Sequence, residues 1–217
     1  MSTPKRNPPF RAEHIGSLLR PDELVKLRYE VAAKRATAGQ LAPLEQKSIK
    51  DIVALQLDCG FRGVTNGEYS RHQFWGTFFE TLNGMEEINL REGGYDQSIF
   101  RLYAPDVKSF MHAKEVPNQV TVAAGKVSHT GKSSYLPELE FMKTLLPKEK
   151  WGDIKLTLAS PSWYHFRYGP KKAYINGAYT NDEDYFADIA KAYQTELKIL
   201  YDAGLRNAQV DDPNLAC

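Results

Sequence analysis

Only two cysteines, Cys59 and Cys217, occur in 217 residues. They are too few for a disulfide scaffold, and no CxxC or Cys/His spacing suggests a closed zinc site. A reducing compartment suits such a chain. Long apolar runs are also missing, since nothing approaches the roughly 18 consecutive apolar residues of a membrane span. Residues 1–10 are polar and hold prolines where a signal peptide carries its apolar region. A cytoplasmic location is the expectation. Neither charge dominates: 28 Lys+Arg against 27 Asp+Glu leave a formal net charge of +1. Attraction of nucleic acid or another polyanion by bulk charge is thereby excluded. No internal repeat or low-complexity tract is present. What is there is ordinary for a globular chain, 42% hydrophobic and 25% charged, with length enough for one large domain.

Helical patterning is read over 21–38, with Leu24, Leu27 and Val31 on one face and Gly39 as a stop, and again over 43–59, with Ile49, Ile52 and Val53 as a stripe before Gly60. The period then shortens. Residues 61–68 read as a buried strand ending in Asn66-Gly67-Glu68, and 69–118 as an excursion of mixed pattern. A strand over 119–127, a loop over 128–134, a helix over 135–146 and a strand over 154–160 follow. The clearest element is the last helix, with Phe186, Ile189, Ala190, Tyr193, Leu197, Leu200 and Tyr201 on one face, Thr180 to Glu183 as a capping box and Gly204 as the stop. A strand over 207–210 runs into Asp211-Asp212-Pro213. With a further strand over 12–15, the order implies an α/β architecture of five parallel strands joined by crossovers.

In such sheets functional groups gather where strands end. Gly16-Ser17 offers unhindered N–H groups and a hydroxyl that suit a carboxylate or phosphate, or else form a plain turn. Glu68 and Asp211 end two strands and together suit an amine, though either reads equally as a helix cap or a solvated loop residue. Arg71 and His72 after Glu68 read as a surface ion pair. The stretch from Gly125 to Ser133 lies between strand and helix like a phosphate loop, but five residues separate its glycines where the Walker pattern has four. The histidines at 14, 72, 112, 129 and 165 show no ligand spacing, so no metal site is expected within the chain. Trp163, Tyr164, Phe166 and Tyr168 form an aromatic loop that could stack on a flat heterocycle or plug a barrel mouth.

Taken together, four strand-end segments resemble the cobalamin-independent methionine synthase family, in its catalytic C-terminal barrel and its short single-barrel homologues. They are Glu13-His14-Ile15-Gly16-Ser17-Leu18-Leu19-Arg20-Pro21, Asn66-Gly67-Glu68-Tyr69-Ser70-Arg71, Leu158-Ala159-Ser160-Pro161, and Tyr201-Asp202-Ala203-Gly204 leading to Gln209-Val210-Asp211-Asp212-Pro213. The resemblance implies a (β/α)8 TIM-type barrel and 5-methyltetrahydropteroyltriglutamate-homocysteine S-methyltransferase chemistry in methionine biosynthesis. It implies that Ile15, Gly16 and Ser17 hold the homocysteine carboxylate and that Glu68 and Asp211 bind its ammonium. In that family a zinc ion activates the thiol, and 5-methyltetrahydrofolate gives the methyl group.

This chain reads Asp-Asp-Pro where the family usually has Asp-Glu-Pro, and the family's zinc ligands, a His-x-Cys pair followed by Glu and Cys, fall beyond residue 217. The expectation is therefore one barrel domain over 1–217 truncated to about five strands, a fragment or half of a split enzyme. Such a chain, inactive alone, would bind no zinc of its own, with no catalytic residue assigned within it. Open sheet edges would favour self-association or a complementing chain, while Glu68 and Asp211 would face one cleft near Ser17. Two other classes are weighed. One is a non-catalytic small-molecule-binding or regulatory remnant of the barrel. The other is a decarboxylase resembling uroporphyrinogen decarboxylase, which lacks the set of groups that suits a zwitterion.

Overall fold

The structure, a computed structural model, describes residues 13–71, 73–89 and 119–212. His72, Pro213, most of the excursion and residue 12 of the first expected strand lie outside these residues. The chain divides into two compact units. The first is drawn from Met1–Phe74, Tyr135–Leu158 and Leu200–Gln209, the second from Trp75–Ser134, Ala159–Ile199 and Val210–Cys217.

In the first unit, helix α1 (Asp22–Ala32) buries Leu24 and stops six residues short of the expected 38. Helix α2 (Ala38–Asp58) begins five residues before the expected 43. Thr37 Oγ1 accepts from the Gln40 N–H at 3.3 Å, and the Gln40 side chain accepts from the Thr37 N–H at 2.9 Å. That reciprocal cap sets the start upstream of Pro43, which lies inside the helix. Ile49, Val53 and Gln56 fall on the buried face.

The segment 61–68 corrects the sequence reading, because it is not a continuous strand. Its ladder contact is a single parallel bridge between Val64 and Ile154, with Val64 N–H donating to Asp153 and Lys155 N–H to Val64, both at 2.9 Å. One residue further, the α2 side chain Gln56 replaces a strand. Its Nε2 donates to the Thr65 carbonyl at 2.7 Å and its Oε1 accepts from the Thr65 N–H at 3.0 Å. Buried backbone groups need partners, and here an amide side chain supplies them. Glu13 to Ile15 form no strand either. Helix α3 (Leu136–Leu145) follows the expected range to within a residue and buries Leu139 and Met142. Strands β3 (Lys155–Ala159) and β4 (Asn207–Asp211), numbered after the two strands of the second unit, are neighbours in a two-stranded sheet.

The second unit holds β1 (Asn83–Asn89) and β2 (Gln119–Ser128), which pair antiparallel. The expectation of an all-parallel set is therefore wrong. The described residues contain four strands in two two-stranded sheets and no closed barrel, so the architecture they support is α/β. The register slips between Asn83 and Met85 at Gly84, whose φ is +78°. A Cβ there would stand 2.3 Å from the Lys126 carbonyl oxygen, so the bulge requires glycine. The expected aromatic loop is a short helix, α4 (Trp163–Tyr168), with Trp163, Tyr164 and Tyr168 buried.

Helix α5 (Asp182–Asp202) matches its sequence signal, but Asn181 caps it, accepting from the Asp184 N–H at 2.8 Å. The buried face also shifts. Tyr185, Ile189, Ala192, Tyr193, Glu196 and Leu200 are buried while Ala190 and Tyr201 are exposed. Tyr193 bonds the Ala159 carbonyl at 2.6 Å. Glu196, fully buried, accepts from Ser133 Oγ at 2.5 Å and meets His129 Nε2 at 2.7 Å. Since the Gly131 N–H donates to His129 Nδ1 at 2.9 Å, the ring proton sits on Nε2 and points at Glu196. These bonds give the Gly125 to Ser133 stretch a structural role.

Candidate functional site

The site in the first unit starts from a local backbone irregularity. Gly67 and Glu68 both have positive φ, +67° and +61°. For a non-glycine residue this left-handed conformation costs on the order of 1 to 3 kcal/mol. Local hydrogen bonds stabilise it: Asn66 Oδ1 accepts from the Glu68 N–H at 2.8 Å and Thr65 Oγ1 from the Gly67 N–H at 3.1 Å. The effect is to turn the Glu68 carboxylate inward, where the residue is 1% exposed.

Three side chains meet that carboxylate. Ser17 Oγ donates to Oε2 at 2.5 Å. Thr157 Oγ1, from β3, donates to Oε1 at 3.0 Å, and Arg71 Nη2 lies 3.2 Å from the same oxygen. Arg71 also donates to the Thr157 carbonyl at 2.8 Å and to the Thr157 hydroxyl, with its guanidinium 5.9 Å from the Tyr135 ring centre. The expected surface ion pair is in fact buried, both side chains being 2% exposed. Arg20 donates to the Glu68 and Arg71 carbonyls at 3.0 and 3.1 Å, and Arg28 to the Tyr69 and Arg71 carbonyls. Burial and the neighbouring Arg28 pull the Arg20 guanidinium down from its usual range, though arginine stays charged. Glu138, which accepts from Ser70 Oγ at 2.9 Å, is pushed up by burial.

The structure thus brings Ser17 and Glu68 together. Leu18 N–H donates to the Gly67 carbonyl at 3.1 Å and the Tyr69 hydroxyl to the Leu19 carbonyl at 2.5 Å, tying the 17–20 segment to the 66–71 turn. Ile15 and Gly16 are exposed, and a Cβ added at Gly16 would meet nothing within 4 Å. Asp211 is the last residue of β4 and belongs to the second unit, where the next residue, Asp212, accepts from Ser162 Oγ at 3.2 Å.

Thr157 and Lys155 were not found from the sequence. Lys155 is buried, its ammonium donating to Glu13 Oε2 at 3.1 Å, Gln209 Oε1 at 2.7 Å and the His14 carbonyl at 2.5 Å. A signal was present. Lys155 and Thr157 alternate with Leu156 and Leu158 in a strand buried at every position, so one face of β3 is polar inside the protein.

No group of three or more His, Cys, Asp or Glu side chains among the described residues could hold a metal ion. The described residues therefore do not fit a zinc site. None of the described helices is long and apolar enough to cross a membrane.

An inward carboxylate in the 66–71 turn, fixed by a guanidinium and two hydroxyls, gives this α/β protein a preformed polar corner. No protein-family model matches the chain. The uncharacterized proteins YxjH and YxjG of Bacillus subtilis (strain 168) are 33% identical over 208 residues and 32% over 213. These alignments cover 96% and 97% of this chain but 49% and 50% of the relatives. A 5-methyltetrahydropteroyltriglutamate-homocysteine methyltransferase of Thermotoga petrophila is 25% identical over 207 residues, 95% of this chain and 24% of that protein.

Among solved structures, a provisionally assigned vitamin-B12-independent methionine synthase from Listeria monocytogenes matches at a TM-score of 0.66 and 27% identity, over 96% of this chain and 53% of that one. A B12-independent methionine synthase from Shewanella sp. W3-18-1, solved in complex with selenomethionine, shares the fold at a TM-score of 0.56 and 21% identity, over 82% of this chain and 44% of that one. The chain is thus weakly homologous in sequence to the cobalamin-independent methionine synthases and similar in structure to a provisionally assigned member of that family. It spans about half the length of the Bacillus relatives.

Proposed function

We propose that the protein is a methyltransferase of the cobalamin-independent methionine synthase kind, with homocysteine or a related amino-acid thiol as acceptor and 5-methyltetrahydrofolate as donor, on a (β/α)8 barrel. The observation that carries this reading is the Ser17–Glu68 contact, which joins two of the four sequence segments that together resemble that family. The charges support it as well. Glu68 is already paired with Arg71, so the corner favours a ligand of no net charge whose ammonium meets the carboxylate. The ligand's carboxylate would then meet the N–H groups of Ile15, Gly16 and Ser17. Asp211 is kept as a substrate-binding residue on its sequence motif, and the variant Asp211→Asn tests it.

The acceptor thiol has a pKa of about 8.5 and needs activation near neutral pH. The corner's own part is to hold and orient the amino acid. Purified protein incubated with homocysteine and the methylated folate, with homocysteine binding and methionine measured, tests the proposal. The chain alone is expected to hold homocysteine without turning it over; saturable homocysteine binding weakened by Glu68→Gln supports the proposal, whereas absence of saturable homocysteine binding overturns it.

A further inference from the structure

The three partners of Glu68 are not equivalent. Thr157 and Arg71 both address Oε1, and both residues are buried to within a few per cent. An acceptor oxygen has two lone-pair positions, so Oε1 is fully subscribed from inside the protein. Oε2 receives the Ser17 hydroxyl, and Ser17 is exposed, in a segment without regular structure. Its Oγ–H is oriented by a freely rotating bond, whereas the Arg71 fork is fixed a second time by the Thr157 carbonyl.

We propose, resting on the reading of this corner as an amino-acid site, that the two oxygens of Glu68 have separate tasks. Arg71 and Thr157 are positioning residues that fix Oε1. The Ser17 hydroxyl is the resident stand-in on Oε2 for the ligand's ammonium group. When that group arrives, its N–H takes over the short bond to Oε2. The released Ser17 hydroxyl then rotates to donate to the ligand's own carboxylate. No proton changes owner in this exchange. One charge-assisted bond is replaced by a stronger one between two charges, and the serine bond is regained on the ligand. A ligand with an ammonium but no carboxylate displaces the serine without giving it a new acceptor. A ligand with a carboxylate but no ammonium cannot displace it. The exchange therefore selects for both groups in one molecule.

The test is calorimetric titration of the full chain with methionine, its decarboxylated amine and its deaminated acid, for wild type, Ser17→Ala and Thr157→Val. Wild type is expected to bind methionine more tightly than either analogue. Failure to bind methionine at all overturns the amino-acid reading itself. Given wild-type binding, Ser17→Ala is expected to tighten the amine on the order of tenfold, because its competitor is gone, and to narrow methionine's advantage over the amine. Removal of a merely structural hydroxyl would not strengthen binding. Thr157→Val is expected to weaken methionine and the amine on the order of tenfold and leave the deaminated acid unchanged. An amine affinity unchanged or reduced in Ser17→Ala overturns the stand-in role. A uniform loss for all three ligands in Thr157→Val, at unchanged melting temperature, overturns the positioning role.

Discussion

Arg71 Nη2 stands 3.2 Å from Glu68 Oε1 with both side chains 2% exposed. Removing one member of such a pair leaves the other charge buried and uncompensated. Arg71→Met is therefore expected to cost about 3 to 5 kcal/mol of folding stability. Urea unfolding checks this, and a cost below about 1 kcal/mol, the range of exposed pairs, would show that the pair is hydrated in solution.

Gln56 takes the place of a strand neighbour for Thr65. Gln56→Leu fills similar space but leaves a buried N–H and a buried carbonyl without partners, each worth about 1 to 3 kcal/mol. Gln56→Glu restores the acceptor alone. The expected order of melting temperature is wild type, then Glu, then Leu, and equal values would mean that water reaches Thr65.

Tyr174 and Tyr179 are both pushed up to about 12, chiefly by burial. Tyr174 donates to Asp182 and Tyr179 to Asp188, each at 3.1 Å, which adds to the effect. An unfolded tyrosine ionises near 10, so between these values the folded state holds protons that the unfolded state has released. The stability these groups contribute is complete below about pH 10 and is lost as pH rises toward 12. Melting temperature should fall through that window, and less steeply in Tyr174→Phe and Tyr179→Phe. Identical slopes in wild type and both variants would contradict the assignment.

Elements with an unbroken period were legible in the sequence. Helix α3, strand β3 and strand β4 fall within a residue or so of expectation, although burial in the two strands does not follow residue type: Lys155 and Thr157 are buried and Val210 is exposed. The failures share a cause: a side chain does what backbone usually does. The Gln56 amide replaces a ladder at Thr65, and the Thr37–Gln40 cap moves the start of α2 ahead of Pro43. Partner choice of β2, which pairs antiparallel with β1, is a long-range matter that local pattern does not carry.

In the site, the sequence singles out Ser17 and Glu68 as the ends of two expected strands, neither of which forms, and the structure brings them together from a loop and a turn. Arg71 was misplaced on the surface because spacing alone does not show burial, and Thr157 was passed over inside an apolar run. The left-handed backbone of Glu68 had its sign in Asn66-Gly67, which favours such a turn.

The most direct test of the account is a crystal structure of the protein with homocysteine bound. The ligand's ammonium nitrogen is expected about 2.7 to 3.0 Å from Glu68 Oε2, with Ser17 Oγ turned from Glu68 to the ligand's carboxylate and Arg71 and Thr157 still on Oε1. A ligand bound with its ammonium away from Glu68, or no ligand at the Ser17–Glu68 corner at saturating concentration, would contradict it.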